Sequence, residues 1–170
     1  MATQASVDAL MNALNITRAD LNANHKGDLG DNQLHKLQTL RQRTIIIGAI
    51  GFLGFVLLAT TLLYFGQVNG QFMLTALGIF TTMLNAIFGG MYGRQYMRLS
   101  RDIHNDDVEV LEGKLERVLK ADNRFNNYVV RLDDTDFYIT KDQFLLFQHK
   151  APYRFYRAPY SKILLAVEPL

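Results

Sequence analysis

The sequence predicts a membrane α-helical hairpin joined to a small all-β domain, with short amphipathic helices ahead of both. Three patterns lead there. Two apolar runs, 44–66 and 71–93, carry no charged side chain and are separated only by Gln67, Val68, Asn69 and Gly70. At about 1.5 Å of rise per residue, either run crosses a hydrocarbon layer of roughly 30 Å as a helix. From Val108 the texture changes to short stretches of β-formers punctuated by turn residues. Before Thr44, apolar residues recur at helical spacing instead.

The expected organisation is a helical N-terminal segment over 1–43, the hairpin over 44–93, a helical stalk over 94–107 and a β-domain over 108–170. In the first segment, 6–15 reads as a helix with Ser6 at its N-cap and Val7, Leu10, Met11 and Leu14 on one face. Thr17 and Asp20 have the spacing of a capping arrangement that opens a second short helix. Gly27 and Gly30 interrupt the chain, and Asp31 caps a third helix that runs on into the first span.

The stretch 22–33 has the outline of a calcium-binding loop, with glycine in the sixth place and Leu29 in the eighth. Its ligands do not follow. Asn22 replaces the first acid, Lys26 holds the fifth place, and Gln33 stands where a bidentate glutamate is required. A helix–turn–helix bend is the expectation there.

Beyond the stalk, strands are expected over 109–119, 128–132, 136–140, 153–157 and 163–167, with a helical phase over 141–148. Turns fall at Asp122-Asn123-Arg124 with Asn126-Asn127, at Asp133-Asp134-Thr135 and at Ala158-Pro159-Tyr160-Ser161. Five short strands in so few residues suggest a strongly bent sheet or an SH3-like or OB-like barrel.

Orientation follows from the basic residues. Lys36, Arg41 and Arg43 precede the first span, Arg94, Arg98 and Arg101 follow the second, and the connecting loop has none. The positive-inside rule then places both termini in the cytoplasm. Tyr64, Phe65 and Phe72 fall at the outer end and Tyr92 and Tyr96 at the inner end, where aromatic belts form. Residues 1–10 have neither the basic nor the apolar region of a cleavable signal, so the first span is expected to act as its own targeting signal.

The segment Asn24-His25-Lys26-Gly27-Asp28-Leu29 with Gln33 resembles an N-x-x-G-x-L-x-x-x-Q pattern found ahead of paired membrane helices in uncharacterised bacterial two-helix membrane proteins. The tail from Tyr153 through Arg154, Tyr156, Pro159 and Ser161 to Ile163 is similar to the ending of the same proteins. The resemblance implies the architecture and a bacterial inner membrane. It carries no chemistry.

Catalytic signatures are missing. There is no cysteine, and His25, His35, His104 and His149 are scattered, so neither thiol chemistry nor a familiar zinc spacing is present. Serine-nucleophile, phosphate-loop and dinucleotide motifs do not occur. Asp133, Asp134 and Asp136 lie where turn geometry favours aspartate. Nucleic acid is not an expected partner: from Asp106 onward 10 Lys and Arg face 11 Asp and Glu, which leaves no basic footprint. No cofactor, metal or catalytic residue is assigned.

Helix packing is the signal that remains. Gly78, Thr82, Ala86 and Gly90 recur every fourth residue of the second span, beside a neighbouring row of Thr81, Asn85, Gly89 and Gly93. Gly48, Gly51 and Gly54 are spaced three apart on the first. Small faces let helices approach closely in lipid, where hydrophobicity cannot drive them together. Asn85 is the strongly polar residue near mid-span, and its expected role is a hydrogen bond between helices.

Tyr153 and Phe155 alternate with Arg154 and Tyr156 along one strand. The second pair, with Arg157 and Tyr160, is the candidate partner surface. The expected function is a non-catalytic membrane-anchored adaptor or accessory subunit. Its partners would be other membrane helices, the lipid bilayer and a cytoplasmic protein. One alternative is a self-assembling, homo-oligomeric membrane protein, with a pore as one form of it; a second, less favoured, is an enzyme of unknown type.

Overall fold

The structure, a computed structural model, describes residues 4–122 and 125–170, with side chains for 9–120 and 127–170. The elements run α1 (Gln4–Leu14), α2 (Arg18–Asn24), α3 (Asp31–Val68), α4 (Phe72–Asn105), β1 (Glu109–Asp122), β2 (Phe125–Leu132), β3 (Thr135–Ile139), α5 (Lys141–Leu146), β4 (Pro152–Arg157) and β5 (Leu164–Pro169). They divide into two compact units, 1–35 with 104–170, and 36–103. The N-terminal helices therefore fold with the β-domain as one unit.

That first unit is a five-stranded antiparallel sheet in the order β3-β2-β1-β4-β5. β1 is long enough to serve two partners. Its first half, Glu109 to Lys114, pairs with β4, and its second half, Leu115 to Asp122, pairs with β2. The sheet bends between them: Phe137 of β3 and Phe155 of β4 meet with ring centroids 5.0 Å apart, although two strands separate them in the sheet order. Leu115, Val130, Leu132, Phe144, Phe147, Tyr153 and Val167 belong to the core with them.

Leu10 of α1 belongs to the same core. Gln143 of α5 donates from Nε2 to the Ala13 carbonyl at 3.0 Å, fastening α1 to the helix ahead of β4. α1 begins at Gln4, so Ser6 lies inside its first turn and is not the N-cap. Thr17 does cap α2. Its hydroxyl accepts from the Asp20 amide at 3.2 Å, and the Asp20 carboxylate accepts from the Thr17 amide at 3.0 Å. Thr140 and Gln143 repeat this reciprocal arrangement at α5. The expected turn residues Asn123 and Arg124 lie outside the described residues. The turn between β2 and β3 is Asp133-Asp134, and Asp133 adopts φ 50° there.

In the second unit, α3 and α4 are helices of 38 and 34 residues, each long and apolar enough to cross a bilayer. They do not resemble core helices of a water-soluble protein, since only 6% and 17% of their most apolar windows are buried. Ile50, Leu53, Leu57, Met73, Met83 and Ile87 are all at least 60% exposed. The helices extend past both predicted spans, and only Asn69, Gly70 and Gln71 connect them. Gly70 takes φ 62°, a left-handed conformation that glycine adopts without a Cβ clash, as it turns the chain back.

Candidate functional site

The small and polar positions singled out on the helices divide into two sets. Gly78 lies under Leu63: a Cβ placed on it would stand 3.0 Å from the Leu63 backbone nitrogen. Gly51 receives the ring of Phe88, Gly48 meets Tyr92, and Gly89 is in ordinary contact with Phe52. These positions let the two helices of the hairpin close on each other, with Asn85 and Thr81 buried in the same layer. Thr82 and Ala86 are exposed, and a Cβ at Gly54 or Gly90 would meet nothing within 4 Å. The open set is what another helix could use.

Two contributors went unread in the sequence. Gly66 is buried against Thr75, whose backbone nitrogen would lie 2.6 Å from an added Cβ, and this closes the hairpin beside its connecting turn. Phe88 and Tyr92, one turn apart, supply the large groups that fill the gaps over Gly51 and Gly48. Their four-residue spacing opposite a glycine row was the available signal.

Between the helices, from Thr44 to Phe52 and from Asn85 to Tyr96, an open groove of about 570 Å³ remains. Ala49, Ala86, Gly89, Gly90 and Gly93 form much of its lining, together with Asn85. The hydroxyls of Thr44, Thr61, Thr81 and Thr82 are each satisfied by the carbonyl four residues earlier, at 2.8–2.9 Å. Asn85 differs. It is 94% buried, and its Oδ1 has no hydrogen-bond donor.

The residues expected to form a partner surface, Arg154, Tyr156 and Arg157 on β4 and Tyr160 beyond it, are engaged within their own unit. Tyr156 is buried, not exposed, which corrects the reading from strand alternation alone. The face opposite Phe155 is covered by the turn after α2, whose His25 ring stands 5.9 Å from that of Tyr156. Glu168 joins this layer: its carboxylate meets His25 Nε2 at 2.9 Å and accepts from Arg154 at 2.8 Å and from the Tyr156 hydroxyl at 3.1 Å. Burial pushes the Tyr156 phenol above its ordinary range, against the opposing pull of Arg154. Arg154 also pairs with Glu112.

Arg157 is mostly buried and forms a two-pronged pair with Glu109 at 2.8 and 2.9 Å. That hydrogen bonding, aided by Lys162, holds the Glu109 carboxyl down to about 2 in spite of partial burial. Asp136 is likewise held at about 2, by Arg131 first and then Lys120. Tyr160 keeps 39% of its surface and accepts from Asn105 at 3.2 Å.

The N-x-x-G-x-L-x-x-x-Q stretch acts as a clamp. The Gly27 carbonyl accepts from the Val108 amide at 3.0 Å, and the Leu29 amide donates to Asp106 at 3.3 Å. Gln33, in the twelfth place of the calcium-like loop, accepts from the Gly30 amide and donates to the Leu165 carbonyl. These groups are turned to the fold, and among the described residues no three acidic or histidine side chains gather as metal ligands. No family model matches the chain, and neither a curated protein nor a solved structure matches it.

Proposed function

We propose that the chain is a non-catalytic, membrane-anchored adaptor or accessory subunit of a membrane protein complex. The observation that carries this reading is a pair of long apolar helices, largely exposed, that bears an open groove of small residues. A bilayer covers such side chains, and small residues admit a neighbouring helix. The placement of basic residues supports both termini in the cytoplasm, and the resemblance of the clamp and tail segments supports a bacterial inner membrane. The bent sheet, an SH3-like or OB-like barrel in this reading, would present Tyr138 and Tyr160, 68% and 39% exposed, to a cytoplasmic protein.

The test is site-specific photo-crosslinking in cells, with the reactive residue at Tyr138 or Tyr160 of the full chain. The adaptor reading expects an adduct with a second, different protein. Adducts only between copies of this chain would overturn it in favour of self-assembly, and no adduct at either position would overturn the cytoplasmic recruitment it assigns to the sheet.

A further inference from the structure

We propose that two copies of the chain pair along α4 from Thr82 to Gly93, each filling the other's groove and answering the other's Asn85. The inference rests on the bilayer placement of the hairpin proposed above. Its first support is the open row: Thr82 and Ala86 are exposed, and nothing stands over Gly90 or Gly93. Its second, independent support is Asn85, a residue of the groove lining whose Oδ1 is buried and has no donor within the hairpin; its side-chain amide must rotate about χ2 before a neighbour in the groove can donate to that oxygen. In lipid that oxygen cannot turn to water, so an occupant bearing a hydrogen-bond donor at the same depth is favoured.

An acyl chain fills volume but brings no donor. A second copy brings one at the required depth by identity, because a two-fold axis along the membrane normal sets equal residues at equal height. The donor is the Asn85 amide or the Thr82 hydroxyl, both on the same stretch of α4. The Thr82 hydroxyl now donates to the Gly78 carbonyl at 2.9 Å, and it reaches a neighbour by rotating about a single bond. Close crossing of two helices requires small residues on both sides of the contact. The row Thr82, Ala86, Gly90 supplies them twice when α4 meets its own copy.

The protein has no cysteine, so single-cysteine variants report proximity directly. The full chain carrying Ala86→Cys or Gly90→Cys is reconstituted in phosphatidylcholine–phosphatidylglycerol vesicles and oxidised. Leu84→Cys and Met91→Cys, on the opposite side of the helix, are the controls. Disulfide formation needs Cα atoms within about 7 Å. Pairing therefore expects crosslinked dimer at Ala86 and Gly90 but not at the controls.

Lipid-dilution energy transfer between labelled copies gives the affinity without crosslinking. Asn85→Val should weaken it about 3- to 20-fold, the range measured for polar contacts between membrane helices, and Ala86→Leu with Gly90→Leu should abolish it. Equal crosslinking at Ala86 and Leu84 overturns the pairing, as does energy transfer that Asn85→Val leaves unchanged. Protein released from vesicles by alkaline carbonate overturns the membrane reading and the pairing together. Protein retained there as a monomer overturns the pairing alone.

Discussion

Gly30→Ala should be among the most damaging small substitutions in the chain. A Cβ at Gly30 would overlap Asp20 Oδ1 and stand 2.6 Å from the Asp20 Cα. No side-chain rotation relieves a collision with a backbone atom, so either α2 shifts or the α2–α3 connection opens. Asp20 is 99% buried and accepts from the Thr17 amide, the Thr17 hydroxyl at 2.7 Å and Asn32 Nδ2 at 3.3 Å. Overpacking of this kind costs about 1–3 kcal/mol, and a disrupted N-cap adds about 1 kcal/mol. The combined loss of about 2–4 kcal/mol lowers Tm by roughly 10–20 °C for a unit of this size.

The assay is thermal unfolding of the full chain in detergent, followed by near-ultraviolet circular dichroism of its tyrosines. Gly27→Ala is the matched control. Nothing lies within 4 Å of its added Cβ, so its cost comes only from the φ of 93° and is roughly 1–2 kcal/mol. If Gly30→Ala unfolds at the wild-type temperature, or above Gly27→Ala, the packing argument is wrong.

Acid should weaken the same unit. Glu109 has a folded pKa of about 2 against an ordinary 4.5, so its stabilisation is present above pH 4.5 and lost as pH falls toward 2. Because its side chain is 34% exposed, solvent screening reduces the contribution to about 1 kcal/mol. Glu109→Gln should therefore be less stable by that amount at pH 7 and equal to wild type near pH 2; a pH-independent difference in urea titrations would refute it. Gln33→Leu leaves the Gly30 amide and Leu165 carbonyl without their partner. It should cost about 2–4 kcal/mol and speed hydrogen exchange at the Gly30 amide, and unchanged exchange would remove Gln33 from the clamp. In the hairpin, Gly66→Ala and Gly78→Leu force side chains onto Thr75 and Leu63, whereas Gly54→Ala enters open space. The first two should lower the temperature of aggregation in detergent and the third leave it unchanged; equal effects would refute the assignment of faces.

The elements legible in the sequence were those set by composition and local pattern. Two charge-free runs mark α3 and α4, the spacing of Thr17 and Asp20 marks a cap, and β-formers between turns mark the strands. What stayed hidden depends on contacts far apart along the chain. Alternation on β4 correctly sets Tyr156 opposite Phe155, but it carries no information about what covers that side. The cover comes from His25, more than a hundred residues earlier. Likewise a row of small residues announces close packing without stating which member meets the adjoining helix. Gly78 and Gly90 are alike in sequence and differ only because Leu63 reaches one of them.

The clamp also changes how the unit that carries the sheet must be probed. Leu10 belongs to the core beside Phe147 and Phe155, while Gly27, Leu29 and Gln33 are bonded to Val108, Asp106 and Leu165. Removing 108–170 would expose the apolar face of α1 and orphan several backbone groups at once, and removing 1–35 would open the β-domain core. Either truncation would unfold the unit, so an interaction lost with it would not show which residues make the contact. Point changes at exposed Tyr138 and Tyr160, which leave the core and the clamp intact, separate recognition from folding. The segments before and after the hairpin belong to one folded unit, so a change in either is read against the stability of the whole unit.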